Sequence, residues 1–122
     1  MNTEQIATRL VELCRKGEHE QAQRELYAQD AVSIEMPGSP AAAAGDTKGL
    51  EAIYEKGRQW AAGLETVHSS EVSDPLVAGN WFSVTFSMDV TFKDRGRMQM
   101  DEVAVYHVRD GKVVSEQFFY DV

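Results

Sequence analysis

Two glutamates, Glu102 and Glu116, interrupt apolar strand patterns in the second half of the chain. Phe82, Val84, Phe86, Met88 and Val90 alternate with Ser83, Thr85, Ser87 and Asp89, the period of two that marks a strand with one apolar face. Met98 to Arg109 and Val113 to Asp121 read as two further strands. Aligned through their turns, they add Met100, Glu102, Ala104, Tyr106, Val114, Glu116, Phe118 and Tyr120 to the same inner face. A carboxyl sheltered there loses hydration and feels its neighbour's charge, and both effects raise its pKa toward neutrality. Such a group can exchange a proton with a bound molecule. Tyrosine hydroxyls such as those of Tyr106 and Tyr120 can donate to an oxygen that gains negative charge.

The candidate catalytic set is therefore Glu102, Glu116, Tyr106 and Tyr120. Phe86, Met88 and Phe118 on the strands, Trp60 on a helix and His68 on an earlier strand are the candidate substrate-binding residues. The phase of His68 is not set by any readable turn, and a lone histidine is more often structural than catalytic. A competing reading leaves both glutamates at the sheet rim, hydrated or paired with arginine.

The turns carry the register. Asp94-Arg95-Gly96 and Arg109-Asp110-Gly111 each fit a three-residue loop ending in a left-handed glycine. Counting outward pairs Phe86 with Ala104 and Met88 with Glu102, then Ala104 with Glu116 and Glu102 with Phe118. Glu102 and Glu116 become diagonal neighbours, roughly 7 to 8 Å apart at the backbone. A two-residue Asp110-Gly111 turn is the alternative. It would turn Val113, Ser115, Gln117 and Phe119 inward, a more polar set, so the three-residue loop is preferred.

The first half must supply the cover. Asn2 and Gln5 resemble a capping box, and Ile6, Ala7, Leu10, Val11, Leu13 and Cys14 follow at helical spacing, predicting a helix from about Thr3 to Lys16. A more polar helix follows from about Glu18 to Ala28, then a short strand over Ala31 to Met36. Residues Pro37 to Gly49, rich in Pro, Gly and Ala, form a mouth or lid candidate. Leu50, Ile53, Tyr54, Trp60, Ala61 and Leu64 mark a third helix, and Glu65 to Ser73 a fourth strand. Helices before strands indicate an α+β fold with an antiparallel meander, in one domain spanning 1–122.

Composition narrows the partners. With 20 acidic and 12 basic residues the formal charge is -8, a field that repels phosphate backbones and anionic lipid, so neither nucleic acid nor membrane is expected. No stretch approaches the roughly 18 apolar residues of a membrane span, and no basic leader precedes an apolar run. Cys14 is the only cysteine, expected to pack as a small hydrophobe, and a cytoplasmic location is the default. Metal-ligand spacing, a phosphate-binding glycine loop and a nucleophile elbow are absent, so no metal and no cofactor are expected. On the outer sheet face, Trp81, Val103, Val105 and Phe119 form a mixed apolar patch suited to sheet-to-sheet homodimerisation.

Leu26-Tyr27-Ala28-Gln29-Asp30-Ala31 before the first strand, and Val108-Arg109-Asp110-Gly111-Lys112-Val113-Val114-Ser115-Glu116-Gln117 near the end, resemble the nuclear transport factor two-like superfamily. Within it, the SnoaL-like group of polyketide cyclase and ketosteroid isomerase relatives is the nearest match. The resemblance spans almost the whole chain. It implies a cystatin-like cone: a curved antiparallel sheet with three helices over its concave face, a deep pocket for a small-molecule ligand, and commonly a homodimer. Its members include cyclases, isomerases, dehydratases, epoxide hydrolases and noncatalytic binders, so fold alone does not select a reaction.

The ketosteroid isomerase pattern is not carried over. Its base position holds Met36 before Pro37, its tyrosine position falls near Leu10 and its protonated aspartate near Ala104. Glu35 is adjacent, and alternation from the base position turns it to the other face unless a bulge intervenes. What the resemblance leaves is a pocket binding a small apolar, carbonyl-bearing molecule, with acid/base transfer at Glu102 and Glu116, or a noncatalytic binding or dimerisation domain.

Overall fold

The computed structural model describes residues 1–122. Helix α1 (Thr3–Arg15) begins on the expected capping box, with Asn2 Oδ1 accepting from the Gln5 N–H and Gln5 Oε1 from the Asn2 N–H. It ends where Gly17 takes φ +75 and Glu18 N–H returns to the Leu13 carbonyl, which satisfies carbonyls the last turn leaves open. Its buried stripe is Ile6, Ala7, Leu10, Val11, Leu13 and Cys14. Helix α2 (His19–Leu26) is shorter than its sequence pattern indicates, because Tyr27 is already extended and starts strand β1 (Tyr27–Ile34).

A short 3₁₀ turn (Ala41–Ala44) and the two-residue strand β2 (Thr47–Lys48) lead into α3 (Leu50–Ala62). Leu50, Ile53 and Tyr54 are the buried residues of α3, whereas Trp60 stays 39% exposed and Leu64 belongs to the next strand. The remaining strands are β3 (Leu64–Val72), β4 (Leu76–Ala78), β5 (Trp81–Phe92), β6 (Gly96–Arg109) and β7 (Lys112–Phe119). The main path of the sheet runs β2-β1-β7-β6-β5-β3, with β4 paired to β5. All pairs are antiparallel except β1 with β7, which runs parallel. The helices cover the inner face over one core of 19 buried residues that includes Ile6, Leu10, Tyr27, Ile53, Phe82, Val84, Ala104, Tyr106 and Val113. The α+β architecture is as the sequence pattern and resemblance indicate.

Both hairpins correct the expected register while keeping the faces. Phe92 pairs with Gly96 around a Lys93-Asp94-Arg95 loop, which places Phe86 opposite Glu102 and Val84 opposite Ala104. In the second hairpin Arg109 pairs with Lys112 around the two-residue Asp110-Gly111 turn, whose φ angles are +52 and +73. Both residues sit in the left-handed region, as a type I′ turn requires. A bulge then inserts Val114, so Val108 opposes Val113 but His107 opposes Ser115. The bulge restores the phase that the shorter turn would have lost. Val113 takes the fully buried inner place expected of Val114, and Glu116 and Phe118 face inward opposite Tyr106 and Ala104.

Candidate functional site

Apart from the apolar core, the buried polar residues are Ser33, Ser39 and Glu116. All of them belong to one hydrogen-bonded chain across the concave face. Glu116, 5% exposed, accepts at one oxygen from Tyr27 Oη and at the other from Ser33 Oγ, 2.6 Å away. Ser33 in turn accepts from Lys56 Nζ at 2.8 Å. The Lys56 ammonium lies 2.6 Å from Glu35 Oε1, and Tyr120 Oη donates to Glu35 Oε2 at 2.8 Å. Ser39 Oγ lies 3.2 Å from Tyr120 Oη, which ties the segment before the 3₁₀ turn to the same chain.

Each member is placed by its element. Ala31, Ser33 and Glu35 alternate inward along β1 and just beyond it, so Glu35 faces the site, contrary to the expectation for its side chain. The same parity is what points Ser33 at Glu116. Lys56 lies three residues beyond Ile53 on α3, at the edge of that helix's buried stripe, and its ammonium sits 5.4 Å above the Phe118 ring. Tyr27 enters from the α2–β1 junction and is buried.

Glu102 stands next to this chain and outside it. It is half-buried, opposite Phe86 on β5 and two residues from Ala104, which faces Phe118. Desolvation first, then the negative charges of Glu35 and Glu116, raise its pKa to about 7, against the opposing pull of Lys56. Glu116 is also raised by burial, an effect opposed by the Ser33 and Tyr27 hydrogen bonds. Burial and the Glu116 charge push Tyr27 and Tyr106 well above the ordinary tyrosine value. The two glutamates are therefore coupled, but they are not diagonal neighbours: Glu116 pairs with Tyr106, and the Ala104–Phe118 pair stands between it and Glu102.

The candidate residues divide accordingly. Glu102, Phe86, Met88 and Phe118 gather on the concave face, joined by Met100, which pairs with Met88. Glu116 lies at the back of the hydrogen-bonded chain and Tyr120 at its front. Tyr106 is 3% exposed and stacks on Phe82 at 4.6 Å, within the core. Trp60 packs edge-on against Phe92, with ring centroids 6.2 Å apart. His68 is not brought to the site: its Nε2 lies 2.7 Å from Thr91 Oγ1, and Thr91 alternates with the inward-facing Val90. Two clefts of about 360 and 450 Å³ on the outer side of α1, lined by residues such as Asn2, Arg9, Arg15 and Asp74, share no residue with the site.

Sequence reasoning turns Glu35 to the other face and gives Ser33, Lys56, Tyr27 and His19 no role at the site. The His19 ring, at the start of α2, lies 6.3 Å from Phe86, and desolvation lowers its pKa although more than a third of the residue is exposed. A lysine three residues from Ile53 and four from Trp60, and an odd-numbered glutamate in phase with Ala31 and Ser33, were the available signals.

A helix-covered curved sheet agrees with the family match, in which a SnoaL-like domain spans residues 1–120. The chain belongs to the SnoaL-like family. A Mesorhizobium loti protein named as a SnoaL-like polyketide cyclase is 36% identical, over 98% of this chain and 100% of its own, with a TM-score of 0.90. Two more distant structural neighbours were solved with small molecules. A Catenulispora acidiphila protein with a ketosteroid isomerase-like fold, in complex with trimethylamine, is 19% identical over 96% of this chain and 85% of its own, with a TM-score of 0.72. TerC, co-crystallised with polyporic acid, is 15% identical over 98% and 92% of the two chains, with a TM-score of 0.74. These two likenesses extend to the fold alone. No curated protein sequence matches the chain.

Proposed function

We propose that this SnoaL-like domain binds a small, largely apolar, carbonyl-bearing molecule on its concave face and moves a proton to or from it through Glu102. The observation that carries the reading is Glu102 itself. It is a half-buried carboxyl outside the hydrogen-bonded chain, with a pKa near 7, beside Phe86, Met88, Met100 and Phe118. A group titrating at the working pH is present in both protonation states and can serve as acid or base. Phe86 is buried and the other apolar neighbours are half-buried, an edge against which a ligand can shelter from water.

Glu116 then acts as the second carboxyl through its charge, since Tyr27 and Ser33 occupy its oxygens. Tyr120, whose hydroxyl proton goes to Glu35, lines the mouth and can accept there, while Tyr106 shapes the wall behind Glu116. Solved structures of similar fold that hold trimethylamine and polyporic acid support a small-molecule ligand for this fold. The test is Glu102→Gln in paired binding and turnover screens of enolisable carbonyl compounds. Retained binding with turnover lost supports the role, and unchanged turnover excludes Glu102 as the obligatory acid or base.

The convex face supports a homodimer as well. Val103 and Phe119, opposite each other on β6 and β7, are 41% and 39% exposed, and the half-exposed Trp81 stacks on His107 at 4.1 Å. Apolar side chains grouped on an open sheet face are stabilised by a second sheet. Light-scattering mass should give a dimer for the wild type and a monomer for Phe119→Asp. A monomeric wild type contradicts this.

A further inference from the structure

The concave face holds one cation among its carboxyls, and its position bears on the ligand. Lys56 Nζ donates to Ser33 Oγ at 2.8 Å and pairs with Glu35 Oε1 at 2.6 Å, while an ammonium carries three N–H donors. Its side chain keeps 29% of its surface exposed, against 15% for Glu35. The 5.4 Å approach to the Phe118 ring places the charge against the apolar wall that continues past Ala104 to Glu102. Ser33 and Glu35 engage two of its three N–H donors and fix the ammonium, which leaves the third for a ligand atom.

We propose that Lys56 is a ligand-binding cation, and that the molecule bound on the concave face presents to it an oxygen bearing full or developing negative charge, of the enolate or phenolate kind. This rests on the concave face being the ligand site, and it adds the chemistry of the ligand's polar end. An apolar body would lie along Phe118, Met88 and Met100, with the oxygen toward Lys56 and the Glu102 carboxyl beside the adjoining carbon. With Glu35 the ammonium forms a pair that is neutral as a unit, so the attraction rests on a direct N–H···O contact from Lys56 and not on net charge. Glu35 is already paired with the ammonium, Glu116 is enclosed by Tyr27 and Ser33, and a protonated Glu102 is a donor. In an enolisation Glu102 would take the proton from carbon, the C–H pair would become the new C=C bond, and the carbonyl π pair would move to the oxygen facing Lys56.

The test uses 4-nitrophenol, whose ionised form has its own absorption band, with nitrobenzene as the shape control lacking the oxygen and tetramethylammonium as a cationic probe. At neutral pH the wild type should bind nitrophenolate at least tenfold more tightly than nitrobenzene, and tetramethylammonium more weakly than either. Lys56→Met should lose about ten- to hundredfold of the phenolate affinity, as expected for one charge-assisted hydrogen bond, with nitrobenzene binding unchanged. Lys56→Arg should retain most of it. The double variant Glu35→Gln/Lys56→Met removes the pair as a neutral unit and should show the same loss as Lys56→Met.

If the double variant recovers the wild-type affinity, the loss came from an uncovered Glu35 and the proposal falls. It falls equally if Lys56→Met binds phenolate as the wild type does, or if the wild type prefers nitrobenzene or tetramethylammonium. In those cases the concave face remains a ligand site. A wild type that binds none of the probes overturns both this proposal and the reading it rests on.

Discussion

Replacing Glu102 by Gln should make the protein more stable at pH 8 and leave it unchanged at pH 4. In the folded chain Glu102 titrates near 7, whereas an unhindered glutamate titrates near 4.5. A folded pKa raised above the unfolded value means that the folded state keeps a proton the unfolded state releases. Between those two values folding takes up a proton, so raising the pH through that window destabilises the fold. At about 1.4 kcal/mol per unit the gap corresponds to roughly 3 kcal/mol, and solvent reaching the half-buried side chain reduces this to about 1 to 2 kcal/mol. Below pH 4.5 both states are protonated and the penalty vanishes; above 7 it is fully developed and constant. Urea unfolding of both proteins at closely spaced pH values gives the difference curve. A wild-type-minus-variant difference that stays flat from pH 4.5 to 7, or slopes the other way, refutes the assignment of the raised pKa to Glu102.

Two other perturbations probe the scaffold. Ser33→Ala removes the donor to Glu116 and the acceptor of Lys56 at once; it should cost about 1 to 3 kcal/mol in urea unfolding, since the buried Glu116 loses a donor while the partly exposed Lys56 can turn to water. Gly111→Ala places a Cβ at φ +73 and 3.3 Å from the Met1 carbonyl oxygen, and should lower stability by about 1 to 2 kcal/mol in thermal melts.

The fold was legible because period carries it. The α1 stripe from Ile6 to Cys14 and the β5 alternation from Phe82 to Phe92 each identify an element and its buried face. Partners across the sheet were less legible. A shift of two residues keeps every side chain on its face, so no hydrophobic signal distinguishes Phe86 opposite Glu102 from Phe86 opposite Ala104. The bulge at Val114 compounds this, because it cancels the phase change of the Asp110-Gly111 turn and hides the turn's true length.

At the site, Glu102 and Glu116 were visible as charges in apolar patterns. Lys56 was not, because a lysine at the edge of a helix stripe looks the same whether it reaches water or turns inward. Glu35 was missed for a different reason: its face was counted from Met36 and not from Ser33, with which it is in phase. Tyr27 was assigned to a helix that ends one residue before it, and so its inward direction was not read.

The central claim is that Glu102 exchanges a proton near neutral pH on the concave face. Its side-chain carboxyl carbon, followed by NMR across a pH series and assigned by its loss in Glu102→Gln, reports this most directly. The account predicts a titration midpoint close to 7. A midpoint near the ordinary glutamate value, 4.5, would contradict it.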